Sequence, residues 1–191
     1  MLLPVCVIFT IRPDGERFMI IDGDKVILRP ISCDDTENII RWRNKEAVRN
    51  NFIYRETLTR EEHEKWLEEK VRRGNVCQFI IEAKETGAGV GSVYLRNLDY
   101  VNRKCEFGVF IGEDSFRGKG LGTESARLVI RFAFEHLNMN KVYLRVLSEN
   151  ERAYKSYLRA GFRKDGTARE DVLIDGRFHD VIFMSIIRRE L

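Results

Sequence analysis

Three glycines within five positions, in Arg117-Gly-Lys-Gly-Leu-Gly-Thr123, constrain this chain more than any other feature. Without side chains they let backbone N–H groups approach a ligand closely, and they accept backbone angles that other residues avoid. The flanking residues sharpen the point. Lys104 to Ile111 alternates as a strand does. After Leu121, apolar residues fall at Ala126, Val129, Ile130, Ala133 and Leu137, the stripe of a helix packed on a sheet. Strand, glycine loop and helix N-terminus in that order offer the positive end of a helix to an anion, and a pyrophosphate suits it. A glycine-rich turn without a ligand is the simpler alternative, but a plain turn rarely needs three glycines.

The spacing narrows the choice of phosphate ligand. Five residues separate Gly112 from Gly118 where a nucleotide-triphosphate loop needs four, and Gly120 instead of Ser or Thr follows Lys119. A dinucleotide fingerprint needs glycine at 123, where Thr123 stands, and a strand ending at the first glycine, whereas Glu113-Asp-Ser-Phe-Arg117 intervenes. A degenerate dinucleotide site with Glu149 as ribose acceptor stays open on the residues alone.

The rest of the chain reads as alternating elements without a repeat or linker. Lys25–Ile31 alternates, Asp34 and Asp35 offer an N-cap to a helix through Trp42, and Thr59 with Glu62 forms a capping box for a helix to about Arg73. Cys77–Ala83, Gly89–Leu95 and Lys104–Ile111 read as a meander; Lys141–Leu147, a short helix from Asn150 to Gly161, and strands Val172–Ile174 and Phe178–Ile187 follow. The order β-α-α-β-β-β-α-β-α-β-β implies a single α/β domain over 19–191, a mixed sheet with helices on its faces.

Residues 1–18 read as an appendage, either an upstream start or an extra edge strand, around a turn at Arg12-Pro-Asp-Gly15. Leu2–Phe9 is apolar but lacks a basic residue before it and a small-residue cleavage site after it, and it is too short to span a bilayer. A net charge of 33 − 30 = +3 gives no reason to expect nucleic acid or a membrane as partner. Cys6, Cys33, Cys77 and Cys105 are scattered, which argues against a zinc site or disulfide framework and for reduced thiols in the cytoplasm.

One family fits both the loop and a second stretch. Arg117-x-x-Gly120-x-Gly122 resembles the acyl-CoA pyrophosphate loop of the GCN5-related N-acetyltransferases. Asn150-Glu-Arg-Ala153-Tyr-Lys-Ser-Tyr157-Leu-Arg-Ala-Gly161-Phe162 is similar to the other CoA-side motif of that family. The resemblance covers residues 25–188. It implies an acetyl-CoA-dependent N-acetyltransferase that acts by direct attack of a primary amine, with neither metal nor covalent enzyme intermediate. Acetyl-CoA is expected between two parallel strands that splay apart. Its pantetheine arm would lie along Phe110-Ile111-Gly112 and its pyrophosphate on Arg117, Gly118, Lys119, Gly120, Leu121 and Gly122, with Thr123 as a hydroxyl donor. A homodimer is compatible with such a domain.

The same resemblance assigns roles to single residues, each with a plain structural alternative. Asn150 is a cofactor-side residue and also a favoured N-cap. Tyr157, on one helix face with Ala153, is the acid that protonates the leaving thiolate, or else a core tyrosine. An alkyl amine is neutral in only about one molecule per thousand at pH 7, so a base is needed. Glu106 is the candidate; its structural alternative is an ion pair with Arg103 or Lys104. Alternation sets Glu106 on one sheet face with Gly108 and Phe110, and Phe107, Val109 and Ile111 on the other.

The acceptor end divides the resemblances. Trp42-Arg43-Asn44, with Glu61-Glu-His63-x-x-Trp66, is similar to acetyltransferases of nucleotide-linked amino sugars, while the stretch from Glu106 through Asp175-Gly-Arg-Phe-His-Asp180 is similar to ribosomal-protein-alanine and spermidine acetyltransferases. His63 and Trp66 read more simply as a half-buried helix face than as pocket residues. Residues 41–60 carry six basic and two acidic side chains. If that run faces the acceptor, it favours one bearing phosphate or carboxylate. The rival from another class is a non-catalytic CoA- or nucleotide-binding regulatory module, for which Tyr157 would have no use as an acid.

Overall fold

The computed structural model describes the backbone of residues 6–11 and 17–190, with side chains from Met19 onward. Along the chain run β1 (Cys6–Ile11), β2 (Arg17–Asp22), β3 (Val26–Pro30), α1 (Thr36–Asn44), α2 (Glu46–Arg49) and α3 (Arg60–Trp66). They are followed by β4 (Cys77–Ala83), β5 (Ala88–Asp99), β6 (Lys104–Ile111), α4 (Leu121–Glu135), β7 (Lys141–Leu147), α5 (Glu151–Ala160), β8 (Arg163–Ile174) and β9 (Arg177–Ile187). The strands form one sheet in the order β1-β2-β3-β4-β5-β6-β7-β9-β8. Neighbours are antiparallel except β6 and β7, which are parallel.

The mixed α/β sheet expected from the alternation is present, with three differences. Two strands come ahead of Lys25–Ile31: β2, and β1, which takes the edge position that one reading of residues 1–18 allowed, pairing from Cys6↔Asp22 to Ile11↔Arg17. The expected turn at Arg12-Pro-Asp-Gly15 lies outside the described residues. β8 begins at Arg163 and not at Val172, because the opposite edge of the sheet has one neighbour only and its mostly exposed side chains need no apolar alternation. The helix expected to reach Arg73 is α-helical only to Trp66; the turn Leu67–Val71 widens to π geometry, in which Arg72 N–H donates to Leu67 O at 2.9 Å.

Helices cover both faces. The α4 stripe is buried at Ala126, Val129, Ile130 and Ala133 against Val93, Phe107 and Val142 of the sheet. On the other face Ile39 and Trp42 of α1 pack with Ile80 and Phe110. A bulge at Val90, between pairs Ile81↔Gly91 and Glu82↔Gly89, turns its carbonyl toward the end of β6, where it accepts from the N–H groups of Gly112 and Glu113. That contact bends the chain out of the sheet at the point where the glycine loop begins.

Candidate active site

β6 and β7 pair only at Lys104↔Lys141, Cys105↔Val142 and Glu106↔Tyr143. Beyond that point each is held from its outer side: β6 by β5 through Ile111, and β7 by β9 through Leu147↔Val181. The two strands therefore splay, and a cavity of about 970 Å³ opens between them. Glu106, Phe110, Ile111, Arg117, Gly118, Gly120, Leu121, Gly122, Thr123, Asn150 and Tyr157 all line it, as does Arg43. Residues remote in sequence are thus brought to one cleft.

The loop end has the form an anion needs. Gly118 and Gly120 adopt φ of +80° and +88°, a region costly for other residues, and Gly120 immediately precedes α4. The first N–H groups of that helix have no acceptor within it. Gly122 leaves space, its nearest neighbour beyond a β-carbon being Ile111 Cγ1 at 3.8 Å. Arg117 donates through Nε to Ile111 O and pairs with Asp114 at 3.0 Å, yet its Nη2 is buried without a partner. This orphaned donor, the helix N-terminus and the free glycine edge fit a pyrophosphate. Lys119 turns aside, 3.7 Å from Glu85 and 4.8 Å from the Phe116 ring centroid. Thr123 Oγ1 lies 2.8 Å from Ser156 Oγ, joining α4 to α5.

α5 supplies the other wall. Asn150 caps it by accepting from Ala153 N–H at 3.1 Å, and Gly161 closes it at φ +108°. Tyr157 stands between Phe107 and Phe162, with ring centroids 6.0 and 5.9 Å away, and no hydrogen bond among the described residues engages its hydroxyl. Burial, with Tyr94 second, pushes its phenol above the ordinary range, so it stays protonated.

Glu106 is buried, and both its oxygens are occupied. Oε1 accepts from Arg96 Nη2 at 2.7 Å, Oε2 accepts from Asn97 Nδ2 at 2.8 Å, and Arg145 Nη2 stands 3.7 Å away. The ion pair is formed with Arg96 and Arg145 in place of Arg103 or Lys104, because Arg96 faces Glu106 across β5 and β6 and Tyr143, two residues before Arg145, faces it across β7.

Besides Lys119, three expected positions lie outside the cavity lining. Gly112 does not line the cavity: its N–H goes to Val90 O, its carbonyl accepts from Lys45 Nζ at 2.9 Å, and a β-carbon there would overlap the Trp42 ring. Trp42 is 1% exposed and donates its indole N–H to Glu113 at 2.7 Å. Asn44 exchanges two hydrogen bonds with the Leu58 backbone, at 2.9 and 2.8 Å, and so pins the loop before α3. Conversely, His63 and Trp66 do reach the cavity wall. His63 is buried with Nδ1 3.1 Å from Thr36 Oγ1 and Nε2 unpartnered, and burial lowers its pKa.

The basic run disperses. Arg41 pairs with Glu113, Lys45 lies near Glu113 and Asp114, Arg60 pairs with Glu37 and Glu64, and Arg55 pairs with Asp175. Within the run only Arg43 lines the cavity, its guanidinium 3.5 Å from the Phe52 ring centroid. Sequence reasoning missed Tyr54, Tyr94, Arg96 and Arg145. For Tyr94 and Arg96 a signal existed, since they share the strand face on which alternation sets Glu106.

Fold and cleft together define a group-transfer site for a long, phosphorylated donor. The chain matches the model of the GNAT acetyltransferase domain over residues 25–163. It is 38% identical over 104 residues to YdaF of Bacillus subtilis, a protein named for ribosomal N-acetylation; the match spans 54% of this chain and 56% of that one. To spermidine N(1)-acetyltransferase of Escherichia coli K12 it is 28% identical over 165 residues, 86% of this chain and 87% of that one. Spermidine N-acetyltransferase of Vibrio cholerae, solved in complex with CoA and spermine, superposes with a TM-score of 0.81 at 25% identity, covering 88% of this chain and 98% of that one. The chain belongs to the GNAT acetyltransferase family and is an acetyl-CoA-dependent N-acetyltransferase.

Proposed function

We propose that the acetyl group passes directly from acetyl-CoA to a primary amine in the gap between β6 and β7, with Tyr157 as proton donor to the leaving sulfur. The observation that carries this reading is the end of β6–β7 pairing at Glu106↔Tyr143, with the glycine loop and the free Tyr157 hydroxyl facing the same cavity. Arg117 and the N–H groups that begin α4 would hold the pyrophosphate, with Thr123 and Asn150 beside them. Phe110 and Ile111 would carry the pantetheine arm. Acetyl-CoA supplies the thioester carbonyl.

Chain groups set the proton balance. Amine nitrogen and carbonyl carbon join as the carbon–sulfur bond breaks, the electron pair leaves on sulfur, and the Tyr157 proton meets it. The proton shed by nitrogen restores the phenol through solvent. Glu106 has both oxygens engaged, by Arg96 and Asn97, with Arg145 close by; its proposed part is to hold those arginines at the acceptor end. Guanidinium charge near the bound amine disfavours the ammonium form and helps to free its lone pair.

Free-thiol release from acetyl-CoA, measured with a panel of primary amines, tests this reading. Amine-dependent release is expected, with the acetyl group recovered on nitrogen by mass spectrometry; CoA binding without any transfer would return the chain to a regulatory binding role. One relative from Vibrio cholerae is dodecameric, and self-association of this chain is part of the proposal, read as native mass by light scattering. Among the described residues no helix is long and apolar enough to cross a membrane; a cytoplasmic location is likewise proposed, and cell fractionation tests it.

A further inference from the structure

Beyond the transfer gap, the acceptor end carries a surplus of positive charge that the proposed reaction alone does not explain. Arg43 from α1, Arg96 from β5 and Arg145 from β7 line the main cavity there. Glu106 is the carboxylate set between Arg96 and Arg145. The other acidic groups are placed differently: Glu62, also on the cavity wall, is committed to the Thr59 cap, and Glu56, in the loop before α3, is exposed. Two donors are left over, since Arg43 Nη1 and Arg96 Nε are buried without a partner. A buried guanidinium N–H without an acceptor is costly, and an anionic ligand would supply one.

A second cavity of about 520 Å³ continues from two of these arginines, Arg96 and Arg145. Arg96, Arg145 and Lys70 line it together with Tyr54, Trp66 and Tyr100, and its described lining includes no aspartate or glutamate. Lys70 follows Trp66 into the π turn of α3. Tyr54 and Tyr100 are 57% and 59% exposed, so the aromatic wall is open to a ligand from solvent.

We propose that this second cavity receives the body of the acceptor, and that the acceptor is a primary amine bearing a carboxylate or phosphate group, not a polyamine. The inference rests on the proposed acetyl transfer and specifies its substrate class. A polyamine would bring several ammonium groups against three guanidiniums balanced by one buried carboxylate. An anion-bearing amine pairs with Lys70 and Arg145 and stacks on the tyrosines, while its amine end reaches the gap beside Glu106.

Matched acceptors test it. Two peptides with the same N-terminal alanine, one followed by two aspartates and one by two lysines, are compared with spermidine and a UDP-linked amino sugar. The acidic peptide or the sugar nucleotide should exceed both cationic acceptors in kcat/KM by roughly tenfold or more, and the advantage should shrink with salt. Which of the two leads tells carboxylate from phosphate. Lys70→Glu should cut the preference by about tenfold, whereas Lys70→Arg should keep it. Preference for spermidine, or equal use of the matched peptides with the sugar nucleotide used no better than they are, would overturn the proposal. Titrating Trp66 fluorescence with tetraglutamate, UDP and spermine, with and without CoA, gives a readout free of turnover. Spermine binding more tightly than both anions would again overturn it. CoA failing to bind would overturn the proposed transfer instead, while the titrations without CoA still decide the charge preference.

Discussion

Arg96 and Glu106 face each other across β5 and β6, and the guanidinium donates to the carboxylate at 2.7 Å. The pair fixes the one buried carboxylate of the acceptor end and leaves its charge spent on arginines. Glu106→Gln keeps the shape but leaves Arg96 and Arg145 uncompensated, so stability should drop by about 1–3 kcal/mol in urea unfolding. If Glu106 orders arginines and does not take the amine proton, acceptor KM should rise more than kcat falls, and the acidic limb of the pH–rate profile should persist. Loss of that limb would make Glu106 the base.

Tyr157→Phe keeps the ring between Phe107 and Phe162 while removing a hydroxyl that no described residue engages. Melting temperature should therefore hardly change. Turnover should fall on the order of 10²-fold, with acetyl-CoA KM nearly unaltered. A kcat within about twofold of wild type would reject the hydroxyl as proton donor at the slow step.

Gly112 and Gly120 should separate packing from cofactor binding. At Gly112 an added methyl group meets the buried Trp42 ring, so Gly112→Ala should destabilise the fold by about 1–3 kcal/mol. At Gly120 nothing lies within 4 Å, and only the left-handed φ of +88° resists the change, at about 1–2 kcal/mol. Gly120→Ala should raise the acetyl-CoA KM, whereas Gly112→Ala should act chiefly through stability. Thermal melts beside initial rates distinguish the two.

Hydrogen bonds from Arg41 and from the Trp42 indole hold the Glu113 carboxyl at about 2, below its ordinary value of 4.5. A depressed carboxylate stabilises the fold fully above the unfolded value and loses that contribution as pH falls from about 4.5 to about 2. Stability measured by urea unfolding should decline through that window in the wild type. In Glu113→Gln the decline should be shallower, from a lower plateau at neutral pH.

Local order was legible in the sequence because it is written in contiguous residues. The glycine loop, the Asn150 cap, the α4 stripe and the bounds of β4, β6 and β7 each depend on neighbours within a turn or a strand. The extent of β8 was less legible, since an exposed edge strand carries no apolar period. Tertiary structure alone decided where charge goes. By sequence the basic run of residues 41–60 reads equally as a solvated face or an acceptor surface; folding spends Arg41, Arg55 and Arg60 on acids from other segments. The cationic end of the cleft takes only Arg43 from that run and adds Arg96 and Arg145, from two strands far apart in the chain. Strand register and the splaying of β6 from β7 bring them together, and charge acts through space, which residue order does not encode.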